Sequence, residues 1–283
     1  LLTGGREVGE ALARHDKIGM IGLVGSVPTG KAVMRSAAET LKHVLLELGG
    51  KNALVAFPDA DPDAVAQAMV DGMNFTWCGQ SCGSTSRVFL HEQIHDLVLD
   101  KLSEKIAKFR PGLPLDPKTT MGALINRTQY ERVLSYIEKG KSEGARLVSG
   151  GKPPDDPALA KGNFIEPTVF AEVTPEMTIA REEIFGPVLS VLSWRDEDDV
   201  LDAVNSVDLG LTCAIWSNDL ARAHRMADAV EAGYVWINDV SKHFPGAPFG
   251  GYKLSGIGRE EGLSELLAFT QEKTIHVNYS GRR

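Results

Sequence analysis

An α/β fold, with parallel sheets carrying helices on both faces, is predicted by three features of the 283 residues. Hydrophobic residues make up 43% and charged residues 24%, enough to bury a substantial core in one large or two smaller domains. Short apolar runs alternate with amphipathic stretches of helical period. The connections between them are short, as right-handed βαβ crossovers between parallel strands require.

Taken in order, the apolar segment 18–24 predicts a strand, and "GKAVMRSAAETLKHV", from Gly30, an amphipathic helix. "HVLLEL" predicts a second strand, ending before Gly49 and Gly50. In "DADPDAVAQAMVDGMNFTW", Asp61 is an N-cap, Pro62 takes the first helical position and acids fill the first turn, so a helix is predicted there. "RVFLH" (87–91) predicts a strand, and "EQIHDLVLDKLSEKIAKF" a helix that "RPGLP" ends. Strand 188–194, helix "DEDDVLDAVNSV", strand "LTCAIWS", helix "DLARAHRMADAVEAG" and strand "YVWIN" follow as successive βαβ units. "KTIHVNY" (273–279) predicts a last strand that needs a partner edge, in the chain or in another subunit. Ligands of such sheets bind beyond the carboxyl ends of the strands, so the loops there should carry the chemistry.

Composition narrows the function. Net charge is −8 with both signs mixed, leaving no basic stripe for nucleic acid. The longest apolar runs, such as "IGMIGLVG" (18–25), fall short of the roughly 20 residues that cross a bilayer, so no membrane partner is expected. Three cysteines, Cys78, Cys82 and Cys213, form no disulfide framework, which predicts a reducing compartment, by default the cytoplasm. Cys78 and Cys82 are spaced C-x3-C with no second ligand pair nearby, and no metal site is expected. The opening "LLTGGREVG" lacks Met and a signal-peptide pattern, and a fragment of a longer protein is expected.

"GSVPTGKA" (25–32) nearly matches the nucleoside-triphosphate loop G-x-x-x-x-G-K-[ST]. Ala32 has no hydroxyl for Mg2+, and Pro28 removes an N–H from a loop whose purpose is to present them. A plain helix N-terminus, or one that receives a dinucleotide pyrophosphate, fits as well. The residues alone leave these three readings open.

Among the thiols, Cys82 lies between a helix and a strand, with Gly79, Gly83 and small hydroxyl residues that let a ligand approach. As a nucleophile it needs thiolate character and positive potential nearby. Cys78, beside Trp77 on the predicted helix, is expected to pack, and Cys213, in an apolar strand, to be a buried small hydrophobe. Glu47 is a lone carboxylate at the end of an apolar strand. It is either an exposed strand-end Glu or, partly desolvated, a general base.

"LELGGK" (46–51), with the Cys of "GQSC" 35 residues beyond its Glu, resembles the paired signatures of the NAD(P)-dependent aldehyde dehydrogenase superfamily. "EEIFGPV" (182–188), "PFGGYKLSGIGREEG" (248–262) and "TQEKTIHV" (270–277) continue the likeness in order over essentially the whole chain. The resemblance implies an aldehyde-dehydrogenase-like α/β fold: the remainder of a Rossmann-like dinucleotide domain at 1–48, a catalytic domain at 49–270 and an oligomerisation strand at 271–283. It implies NAD or NADP as cofactor, a small aldehyde as substrate, and a homodimer or homotetramer.

By the same resemblance Cys82 attacks the aldehyde to give a thiohemiacetal, hydride leaves for the nicotinamide, and Glu47 activates water to hydrolyse the thioester. Gly25, Ser26 and Gly30 would face the pyrophosphate, Leu48 the carboxamide, and Glu183 the nicotinamide ribose, with Phe185 as its apolar neighbour. Asn238, Phe249, Thr76, Trp77 and His243 would line the substrate tunnel. Two departures stand out. The family's N-terminal half, with its adenosine site and the Asn of the oxyanion hole, is missing, and losing one such donor costs about 10² to 10³ in turnover, so the chain alone is expected to be inactive. Thr76 and Trp77 stand where many relatives carry an aromatic residue and Asn. Acyl transfer to coenzyme A, a non-catalytic binding fragment and, remotely, an NTPase are the alternatives.

Overall fold

The computed structural model describes residues 1–279 and 281. Its first elements are α1 (Arg6–Arg14), β1 (Met20–Val24), α2 (Val27–Ala38) and β2 (His43–Glu47). β1 and β2 pair in parallel, with Val24 opposite Glu47. The sequence predicts α2 from Gly30, but it begins three residues earlier. Ser26 caps it through the Thr29 N–H, and Pro28 sits in the first turn, where a missing N–H costs no hydrogen bond. Residues 27–30 are therefore helix rather than a loop wrapped around a triphosphate, which removes the NTPase alternative.

Next come β3 (Ala53–Ala56), α3 (Pro62–Met73), a single 3-10 turn (Phe75–Trp77), β4 (Arg87–His91) and α4 (His95–Ile106). They are followed by α5 (Arg127–Ser142), β5 (Arg146–Ser149), β6 (Thr168–Ala171), α6 (Thr178–Arg181) and β7 (Val188–Trp194). The chain continues through α7 (Glu197–Asn205), β8 (Leu209–Gly210), β9 (Thr212–Trp216), α8 (Leu220–Ala229) and β10 (Tyr234–Ile237). It ends with β11 (Tyr252–Lys253), β12 (Gly256–Ile257) and α9 (Leu263–Ala268).

Seven strands form the main sheet in the order β10-β9-β3-β4-β7-β6-β5, parallel except where β5 meets β6. Every residue of β3 and β4 is buried, as expected of strands covered by helices on both faces. Each buried Val or Leu there contributes about 1.5–3 kcal/mol. In the smaller sheet, β12 adds antiparallel to β2 and sets Gly256 opposite Glu47. A late segment thus completes the sheet that the first residues begin.

Three features depart from the sequence reading or were missed by it. The helix expected to run to Trp77 stops at Met73, because Asn74 turns left-handed at φ 55°; Cys78 and Gly79 repeat the turn at φ 57° and 63°. Helices α1 and α5 and strands β5 and β6 fall in stretches where no element was predicted. For α5 the available signal was Asn126, which caps Gln129 N–H at 2.8 Å, with Lys139 and Lys141 in the last turn. The expected strand at 273–279 joins no sheet: 271–279 carry no regular structure, since a strand needs a partner edge and the chain offers none there. Residues 280, 282 and 283 of the expected oligomerisation strand lie outside the described residues.

Candidate active site

The segment that leaves β2 organises the site. Glu47 C=O accepts from Gly25 N–H at 2.9 Å, and Leu48 N–H donates to Ser255 C=O at 2.8 Å. The Ser255 hydroxyl, fully buried, donates to Gly49 C=O at 2.7 Å. Gly50 N–H donates to Glu183 Oε1 at 2.9 Å. The two glycines have separate reasons. A Cβ on Gly49 would strike the Glu183 carboxylate, and one on Gly50 would lie 2.5 Å from Cys82 C=O. Only bare backbone lets this strand end touch both the Cys82 loop and Glu183.

Glu47 is not an exposed strand-end residue. It is 2% exposed, and neither carboxyl oxygen has a hydrogen-bond partner. Burial, reinforced by the charge of Glu260 and opposed by Arg259, pushes its carboxyl up to about 8. Gly250 makes the room, since a Cβ there would approach Glu47 Oε1 to 2.8 Å. A buried carboxyl that titrates near neutrality, with unspent lone pairs, suits proton exchange with water.

Cys82 is the half-buried thiol of the three, whereas Cys78 and Cys213 are buried. Its surroundings do not supply the positive potential that an activated thiol needs. Burial first, then the charges of Glu47 and Glu183, raise its thiol, while the N–H groups of Cys82 and Gly83 favour the thiolate. The sulfur is half-buried, and burial together with its acidic neighbours holds the thiol above its ordinary range. Cys78 donates to Gly122 C=O at 3.0 Å, and burial pushes it up to about 11. Burial pushes Cys213 up to about 12. Both are packing residues, as the sequence predicts.

The remaining candidates separate into groups. Glu183, with its ordinary acidity weakened by burial, lines a cleft of about 540 Å3 together with Ser26, Pro28, Arg132 and Tyr136. Gly25 and Ser26 are exposed near that cleft, and Phe185, at φ 56°, is 39% exposed beyond Glu183. Gly30 is buried, and a Cβ there would meet the Leu48 side chain at 2.7 Å, so its bareness serves the packing of α2 on β2. Phe249 is buried; the His243 ring tilts against it at 4.6 Å and stacks on Tyr234 at 5.7 Å. His243 Nδ1 also lies 3.0 Å from Glu261. Thr76 is exposed and Trp77 is 63% exposed on the turn before Cys78. The Asn238 amide is engaged on both sides by the Ser217 backbone, accepting at 3.0 Å and donating at 2.9 Å.

Sequence reasoning missed Arg132, Asn52 and Ser255. Arg132 Nη2 donates to Glu183 C=O at 2.9 Å. Its place on the cleft comes from the packing of α5, a helix that the sequence reading did not identify.

Fold and site together define an α/β protein in which a half-buried thiol, a buried carboxyl and a second carboxylate beside a cleft lie around one strand end. The model of the aldehyde dehydrogenase family matches residues 1–275, and the chain belongs to that family. Aldehyde dehydrogenase tropH of Talaromyces stipitatus is 55% identical over 99% of this chain and 55% of its own length. Betaine aldehyde dehydrogenase of Brucella anthropi is 48% identical over 98% of the chain and 57% of its own length. Among solved structures, the NAD+ complex of the Bacillus cereus aldehyde dehydrogenase superposes with a TM-score of 0.93 at 41% identity, covering 98% of this chain and 55% of that one. The chain thus spans just over half the length of these relatives. No helix among the described residues is long and apolar enough to cross a membrane.

Proposed function

We propose that this chain carries the thiol and the general base of an NAD(P)-dependent oxidation of an aldehyde to a carboxylic acid. The observation that carries the reading is a buried Glu47 carboxyl without partners beside a reachable Cys82. Cys82 adds to the aldehyde carbon to form a thiohemiacetal, its thiol proton passing to a nearby base as the bond forms. The Cys82 and Gly83 N–H groups, which favour the thiolate, would be the backbone donors available to a developing oxyanion. After oxidation to the thioester, Glu47 takes a proton from water, the hydroxide attacks the acyl carbon, and the Cys82 sulfur leaves with release of the acid.

The cleft suits a dinucleotide: the capped N-terminus of α2 is suited to a pyrophosphate, and the Glu183 carboxylate to ribose hydroxyls. Gly25 and Ser26 would hold the phosphates, Glu183 and Phe185 the nicotinamide half, and Leu48 the carboxamide. When bound, the nicotinamide supplies the hydride acceptor. Thr76, Trp77, Asn238, His243 and Phe249 are proposed to shape the aldehyde's path. The segment 273–279, which joins no sheet within the described residues, would find its edge in a second copy, as a homodimer or homotetramer in the cytoplasm.

A buried base poised for water favours hydrolysis over transfer to coenzyme A, and product analysis with and without coenzyme A distinguishes the two. Iodoacetamide labelling mapped by mass spectrometry at neutral pH tests the thiol assignment. Cys82 should label ahead of Cys78 and Cys213 and be slowed by an aldehyde; preferential labelling of either other cysteine overturns the assignment. Aldehyde-dependent NADH formation by the 283 residues alone would overturn the expectation that they are inactive by themselves.

A further inference from the structure

Asn52 stands two residues beyond Gly50, at the entry to β3, and is 2% exposed. Its side-chain amide makes three hydrogen bonds. Nδ2 donates to Cys82 C=O at 2.7 Å and to Ser84 C=O at 3.0 Å. Oδ1 accepts from Thr212 N–H at 3.0 Å, on the neighbouring strand β9. One buried amide therefore grips the nucleophile turn on both sides of Gly83 and fastens it to the main sheet. Gly50 is what allows the approach, because a Cβ there would lie 2.5 Å from both Cys82 C=O and Asn52 Oδ1.

The bonds have a directional consequence. Each peptide unit is rigid, so fixing the Cys82 carbonyl fixes the direction of the Gly83 N–H in the same plane. That N–H is one of the two that favour the Cys82 thiolate. With carboxylates as its nearest charges, the sulfur has little other than backbone N–H groups to favour its ionised form.

We infer that Asn52 is the positioning residue of the nucleophile: its amide sets the Cys82–Gly83 peptide so that backbone N–H groups face the sulfur. This rests on Cys82 being the reactive thiol, as proposed above. Asn52 touches no reacting atom and acts through the turn it holds.

The test is the pH profile of iodoacetamide alkylation at each cysteine in the 283-residue chain, by peptide mapping, for the unaltered protein, Asn52→Asp and Asn52→Ser. Asn52→Asp is nearly isosteric and keeps an acceptor for Thr212 N–H while losing both donors. Asn52→Ser is neutral and separates the lost donors from the added charge. Both should move the Cys82 midpoint to higher pH and slow its alkylation at neutral pH by about 10-fold, the scale on which loss of an outer hydrogen-bond partner weakens metal sites. Cys213, on the strand that Asn52 also bonds, reports the fold. If it stays unlabelled while Cys82 shifts, the effect is local and the assignment stands. A Cys82 profile unchanged in both variants, or shifted only together with new labelling of Cys213, overturns it. A Cys82 that is not the most reactive thiol in the unaltered chain overturns the catalytic reading itself, an outcome distinguishable because it needs no variant.

Discussion

The two sheets that meet at the site are built differently. In β3 all four residues are buried, whereas in β1 none is. β3 is flanked by parallel neighbours on both sides, β4 and β9, and helices cover the sheet. β1 pairs only with β2 and leaves Val24 66% exposed at its end. The Cys82 turn is fastened to the first kind of sheet through Asn52, while Glu47 closes a strand of the second. On the proposed roles, the thiol is thus tied to the sheet with covered strands and the base to the sheet with a part-exposed edge strand.

Removing the base tests the comparison with the largest expected effect. Glu47→Gln should slow release of acetate from the acyl form made with p-nitrophenyl acetate by about 10² to 10⁴, the usual worth of a positioned base. The acyl-Cys82 mass should accumulate, and an unchanged deacylation rate would remove Glu47 from the mechanism. In the unaltered protein deacylation should rise with pH through about 8, because only the ionised carboxyl accepts a proton.

The same carboxyl links stability to pH. Folding raises it from its ordinary value to about 8, so across that window the native chain keeps a proton that the unfolded chain has lost. The stability it contributes is complete below the ordinary carboxylate range and disappears as pH rises through about 8. Urea unfolding at about pH 6 and about pH 9 should therefore show a smaller pH difference in Glu47→Gln than in the unaltered chain.

Core truncation sharpens the contrast between sheets. Leu54→Ala in β3 should cost about 2–5 kcal/mol by urea unfolding, and Ile21→Ala in the part-exposed β1 clearly less. Equal costs would erase the distinction. The smallest effect is expected at the start of α3, where Asp61 accepts from Asp63 N–H at 3.1 Å: Asp61→Ala should cost about 1 kcal/mol.

Legibility from sequence was uneven along the chain. Strands β3, β4, β7 and β9 are compact apolar runs, and α3, α7 and α8 carry capping residues, so local chemistry was enough to predict β4, β7, β9 and α3. α5 and the β5–β6 pair escaped because their burial depends on partners far along the chain. Around the candidate site, Cys82, Glu47 and Glu183 were singled out by their motifs, and the structure brings them together, yet their electrostatics were not legible. Acidic surroundings of Cys82 could not be read from its own stretch, because Glu47 and Glu183 converge on it from 35 and 101 residues away in sequence.

By itself the sequence determined the alternation of strands and helices, the reactive residue types and their order, since these follow from local period, capping and side-chain chemistry. Only the tertiary structure decided that Glu47 is sealed without partners, that Gly49 and Gly50 are bare because Glu183 and Cys82 press against them, and that Asn52 holds the nucleophile turn. Desolvation and close approach are properties of neighbours, and the fold brings these neighbours together from distant parts of the chain.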